Sequence, residues 1–163
     1  MQTTTTPKLK ILTGFSLATL LIGISTAYLS FALFPYDSSH RLPDIYPPQW
    51  VFWAVWMVLY PAMGWAAGHV WLKRHEYDVR GAMTFYVSML LGNLMFLPIA
   101  NLSKGNPAIM TFMDINGVLT SVLLGWLFGR YSKTAFLFTL PLIIWMPITT
   151  CLKIVLWIYN PIG

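Results

Sequence analysis

Four side chains capable of polar chemistry lie inside otherwise apolar runs: the amide of Asn93, the carboxylate of Asp114, the ammonium of Lys153 and the indole of Trp56. Each is costly in hydrocarbon without a partner. Trp56 is six residues past Trp50, Asn93 seven before Ala100, Asp114 seven past Pro107 and Lys153 six before Tyr159. At a helical rise of 1.5 Å per residue, all four fall ~9–10 Å below one common surface. A carboxylate and an ammonium at one level predict an Asp114–Lys153 ion pair or a shared water. Lys153 is also near enough to the surface to snorkel, and Asn93 has the plainer reading of a bridge between helices.

Aromatic spacing adds a direction. Trp53, Trp56, Tyr60, Met63, Gly64, Ala67 and Trp71 fall in a helical stripe ~100° wide. Trp145, Thr149, Leu152 and Leu156 share a face of the last apolar run, with Lys153 at its edge. These patterns predict a cavity open toward the 35–47 loop, walled by Trp53, Trp56 and Tyr60, with Trp145 toward its floor. Indoles suit such a wall because they pack flat against a large planar or polycyclic ligand and keep one N–H to orient it. The plainer reading of an aromatic stripe is bundle core.

The elements that must position these groups are legible from composition. The 163 residues are 57% hydrophobic and 9% charged, against about 25% charged in an ordinary soluble domain. Five apolar runs, about 11–34, 50–72, 81–100, 107–129 and 134–159, each meet the ~20 residues needed to cross ~30 Å of hydrocarbon. The fold class is therefore all-α, an integral membrane bundle of five transmembrane helices forming one domain over 1–163. Ser25-Thr26-Ala27 resembles a signal-peptide cleavage site, but the first apolar run is too long and continues past it.

The amino-terminal side carries Lys8, Lys10, Lys73, Arg74, Arg80, Arg130 and Lys133, and the other side Arg41 and Lys104 with Asp37 and Asp44. That bias places the N-terminus in the cytoplasm. The net charge of +5 forms no basic cluster, so no nucleic-acid partner is expected. Cys151 is the only cysteine, which leaves neither a disulfide nor a thiolate metal site. No catalytic residue and no metal ligand set is expected. His69 reads as a helix-end histidine, His75 as part of a solvated charge run, and His40, over the cavity mouth, is the one candidate axial haem ligand. The Asn101-Leu102-Ser103 sequon abuts the membrane and is discounted. Gly64-x-x-x-Gly68 and Gly125-x-x-x-Gly129 allow close helix approach, within the bundle or between protomers. Pro61 and Pro147 predict local kinks.

Pro43, Pro47-Pro48-x-Trp50-Val51-Phe52, Trp56-x-x-Leu59-Tyr60-x-x-Met63-Gly64 and Trp71 resemble the signature of the TspO/MBR family, the tryptophan-rich sensory proteins and mitochondrial translocator proteins. The register continues through Asn93 and Pro98, Asp114, Pro141-x-x-x-Trp145, Leu152, Trp157 and Asn160-Pro161. The resemblance implies a five-helix bundle, commonly a homodimer, that binds porphyrins or haem, sterols and related polycyclic hydrophobic ligands, with no required cofactor. It assigns pocket positions to Trp56, Asn93 and Trp145, with Tyr60 and Trp50 nearby. Together with the depth argument, the expected ligand-binding set is Trp50, Trp53, Trp56, Tyr60, Asn93, Asp114, Trp145, Thr149 and Lys153.

The departures from the family pattern matter. Tyr36-Asp37 replaces a Trp-Tyr pair, and Leu152-Lys153-Ile154 and Ile158 lack the tyrosine and arginine of the animal sterol pattern. Sterol specificity is therefore not supported. Lys153 adds a cation where the family keeps asparagine, and Thr149 stands where a small alanine is usual. The expected role is a membrane receptor or transporter-like protein for tetrapyrroles. The alternatives are light-dependent porphyrin degradation through pocket tryptophans, and a sterol-binding or regulatory membrane partner without a small ligand. A bacterial inner membrane is the favoured location, with a mitochondrial outer membrane as the alternative.

Overall fold

The computed structural model describes residues 5–34 and 40–160; Tyr36 and Asp37 lie outside the described residues. Five helices follow in order: α1 Thr5–Leu33, α2 Gln49–Trp71, α3 Arg80–Leu102, α4 Pro107–Gly129 and α5 Lys133–Tyr159. Each is long and apolar enough to cross a membrane. A chain in hydrocarbon must satisfy its backbone groups internally, and a helix does so within one segment. The protein is an all-α, multi-pass integral membrane protein, with no strand among the described residues. Helix limits fall within two residues of the apolar runs except at the start of α1. That helix begins at Thr5, so Pro7, Lys8 and Lys10 stand in its first turns.

Local chemistry sets the ends. Asn106 accepts hydrogen bonds from the backbone N–H of Ala108 (3.0 Å) and Ile109 (3.2 Å), and Pro107 follows it at the first helical position. Both features favour a helix start. Ser132 caps α5 by accepting from Ala135 N–H at 3.3 Å. The α3–α4 turn passes through Lys104 at φ 51 and Gly105 at φ 69, and Gly105 N–H returns to the Ala100 carbonyl at 2.8 Å. A left-handed pair of this kind closes a helix C-terminus. In the α2–α3 turn Lys73 donates to Glu76 at 2.8 Å, which holds the lysine ammonium above its ordinary range.

The helices form a ring in which α1 lies against α2 and α3, and α5 against α2 and α4. Glycine decides two of these seams. A Cβ on Gly64 would strike the carbonyl group of Phe15 and the backbone of Ser16, and one on Gly68 would press on Leu12. A Cβ on Gly125 would reach Ile143 (2.6 Å) and Thr139 (3.2 Å). Both small-residue motifs are thus used inside the bundle, α1 on α2 and α4 on α5. Pro61 and Pro147 sit inside helices that continue through them, and the Pro61 carbonyl accepts from Ser16 Oγ at 2.9 Å.

The packed core lies toward the end of the bundle that holds the start of α3 and the end of α4. Met63, Val70, Leu124, Phe128 and Leu142 are fully buried there, and Thr19 and Tyr86 share a buried hydrogen bond of 2.6 Å. The opposite end is hollow.

Candidate functional site

A cavity of about 950 Å³ occupies that hollow end. It sits near the top of the usual range for small-molecule sites, roughly 300–1,000 Å³. From α2, Phe52, Trp53, Trp56 and Tyr60 line one wall; Asn93 and Phe96 of α3 and Asp114 and Gly117 of α4 line another. Met146, Thr149 and Lys153 of α5 complete it, and residues of the 40–49 segment roof it. Residues 53, 56 and 60 repeat at helical spacing, so all three point to one side. Trp56 and Tyr60 lie with ring centroids 5.0 Å apart, and Trp53 packs on Phe31 of α1 at 5.6 Å.

Lys153 is the unusual member, with only 7% of its surface exposed. Its Nζ donates to the Tyr46 hydroxyl at 2.8 Å. It also stands 5.4, 5.2 and 5.8 Å from the ring centroids of Tyr46, Phe52 and Phe96. A cation over three aromatic faces recovers part of its lost hydration. Lys153 therefore neither snorkels nor pairs with Asp114. The one salt bridge among the described residues is Lys73–Glu76, at 2.8 Å. Of the expected ion pair or shared water between Asp114 and Lys153, the direct ion pair is not made: the ammonium goes to Tyr46 and the aromatic box. Asp114, 4% exposed, lies beside Thr149 and within electrostatic reach of Lys153. Its Oδ2 is buried with no hydrogen-bond partner. Asn93 also lines the hollow, and its amide makes no hydrogen bond among the described residues.

Two expected residues are elsewhere. Trp145 is absent from the lining: its ring meets Phe52 edge-on, centroids 5.9 Å apart at 68°, and its Nε1 is buried without a partner. Phe52, the ring it meets, does line the hollow. The lining face of α5 runs Met146, Thr149, Lys153, Leu156, one position round from the expected Trp145, Thr149, Leu152, Leu156 face. Lys153 thus moves from the edge of the face to its middle. Trp50, 67% exposed, lies outside the cavity as well, at the interfacial level where tryptophan is common. Tyr46, Phe52, Phe96 and Met146 were not anticipated. Phe52 and Phe96 were findable, being four residues before Trp56 and three after Asn93 on the same faces. Tyr46 comes from a loop and left no periodic signal.

The first residues of the roof are tied down at two points. His40 Nε2 bonds the Gly105 carbonyl at 2.9 Å, which commits one ring nitrogen of the candidate axial ligand. Arg41 N–H donates to Asn160 Oδ1 (2.9 Å), and Asn160 Nδ2 returns to the Arg41 carbonyl (3.0 Å). Asn101 is 8% exposed and donates to the Ser30 carbonyl at 3.1 Å, so the sequon is spent on joining α3 to α1. His69 stacks on Phe138 at 18° and stays outside the hollow. No group of three or more candidate metal ligands occurs among the described residues.

A buried cation in an aromatic-walled hollow that also holds a carboxylate and an amide can hold a large flat molecule by its faces and its polar edge. Comparison with known proteins agrees with this architecture. Residues 14–158 match the model of the TspO/MBR family. The human translocator protein is 25% identical over 118 residues, covering 71% of this chain and 69% of the relative. A translocator- or receptor-type protein of the membrane is what this set of observations describes, and the chain belongs to the TspO/MBR family.

Proposed function

We propose that the cavity binds a porphyrin-type tetrapyrrole, or a similarly large flat molecule with an acidic edge, and that the protein serves as its membrane receptor or carrier. The ring system would lie against Trp53, Trp56 and Tyr60, and a carboxylate would meet Lys153. Asn93 would orient a second polar group, and the unpartnered Oδ2 of Asp114 offers an acceptor for a ligand donor or a bound water. Thr149 narrows the α5 side. Apolar burial supplies ~25 cal/mol per Å², so a large ring needs few polar contacts. The observation that carries this reading is the buried ammonium of Lys153 facing an aromatic-walled cavity of about 950 Å³. In this reading Trp145 supports Phe52 instead of touching the ligand.

The test is a binding titration in detergent or nanodiscs, following quenching of tryptophan fluorescence by protoporphyrin and by its dimethyl ester. Wild type is expected to prefer the free acid. Lys153→Met is expected to weaken the acid about tenfold to a hundredfold, equivalent to the ~1.5–3 kcal/mol of a hydrogen bond to a charged group, and to leave the ester nearly unchanged. Equal loss for acid and ester would remove Lys153 from the site, and no quenching by either would remove the proposed ligand.

A further inference from the structure

We propose that the gap between α3 and α4 is a lateral doorway by which a flat ligand dissolved in the bilayer reaches the cavity, with Asn116 at its threshold. This rests on the ligand-binding reading of the cavity above.

Among the described residues the roof is fastened at three points: His40, Arg41 and Tyr46 tie it to the α3–α4 turn, to Asn160 and to Lys153. No side-chain hydrogen bond among the described residues ties α3 to α4 beside the cavity. Ser88 and Gly92 of α3 and Phe112 and Asn116 of α4 all line the cavity and are all exposed on the outside, Phe112 by 71%. A Cβ on Gly92 would meet nothing within 4 Å. The two helices close on each other farther along, where Tyr86 packs on Phe128 with centroids 6.0 Å apart, and at the turn that joins them.

Asn116 supplies the chemistry of the threshold. It is nine residues past Pro107, ~14 Å along the helix and so near the middle of a ~30 Å hydrocarbon layer. Its side chain makes no hydrogen bond among the described residues, and it is exposed. A lone amide facing acyl chains is unfavourable, but it can partner the polar edge of a passing ligand. The seam between α1 and α2 also has exposed lining residues, Ile24 and Met57. That seam is barred by the Phe31–Trp53 ring pair and by the Tyr60 ring pressed against Gly23. A flat apolar molecule already partitioned into lipid would follow the α3–α4 route without exposing its faces to water.

The experiment measures association and dissociation rates of protoporphyrin with the protein in liposomes, by time-resolved tryptophan quenching. Gly92→Phe and, independently, Ser88→Phe are expected to slow association by about tenfold, a modest change in barrier. Asn160→Ala, which loosens the roof, is expected to leave the association rate as in wild type. Wild-type rates in both phenylalanine variants, a fall in affinity with an unchanged association rate, or faster association in Asn160→Ala would each overturn the doorway while leaving the binding site intact. Failure of wild type to quench at all would overturn the ligand reading, and the doorway with it.

Discussion

Lys153 is held by several contacts that are individually weak, with the Asp114 carboxylate within electrostatic reach. A buried ammonium without partners is strongly unfavourable, and here one hydroxyl and three ring faces replace its water. Because the hydroxyl belongs to the loop, the same bond holds the roof. Tyr46→Phe should therefore raise hydrogen exchange at the amides of residues 41, 42 and 44–46, while Lys153 keeps its aromatic box; unchanged exchange would mean that the Arg41–Asn160 and His40–Gly105 bonds hold the roof without it. The two tryptophans that sequence reasoning treated alike should separate. Trp56→Ala removes a wall of the cavity and is expected to abolish most porphyrin quenching. Trp145→Ala removes the support behind Phe52 and should weaken binding less than Trp56→Ala, while lowering thermal stability by ~3–5 kcal/mol, the usual cost of deleting a large packed aromatic. The reverse order of affinities would restore Trp145 to the lining.

At the scale of helices, two seams depend on glycine. Gly64→Val sets two methyl groups and a Cβ against the backbone of α1, and overpacking of this kind costs about 1–3 kcal/mol or more. Thermal unfolding in detergent should show a clear fall for Gly64→Val and almost none for Gly92→Val, whose Cβ meets open space. Equal effects would mean that the α1–α2 seam yields. The spans themselves were legible because a run of about twenty apolar residues admits few alternatives in a bilayer. Their rotation was harder to read. On α2 the Trp53, Trp56, Tyr60 face agreed with the sequence because three large aromatics mark it. On α5 both Trp145 and Met146 offered an apolar face, so periodicity alone could not choose between phases one residue apart. The structure seats Met146 against Gly117 of α4, a contact between distant segments that no local pattern encodes. Equal depth did bring Asp114 and Lys153 to one cavity, within electrostatic reach of each other but not in direct contact. The loop tyrosine that takes the lysine ammonium had no periodic signal.

For the whole molecule, the two halves of the bundle divide the work. The end with the start of α3 is packed solid and the end under the 40–49 segment is hollow. Seven Lys and Arg on the solid side against two on the other predict that the solid end faces the cytoplasm. A single cysteine placed at Lys73 in a Cys151→Ser background should react with impermeant maleimide only from the cytoplasmic side; reaction from the outer side alone would invert the topology. Neither glycine motif is free to join two copies of the chain, because both are occupied within one chain. The hollow is the claim on which the functional account depends, and a structure determined with protoporphyrin bound tests it most directly. The account expects one ring system per chain, flat against Trp53, Trp56 and Tyr60, with a propionate on Lys153 Nζ. A porphyrin seated on the outer surface, or a hollow end filled by side chains, would contradict it.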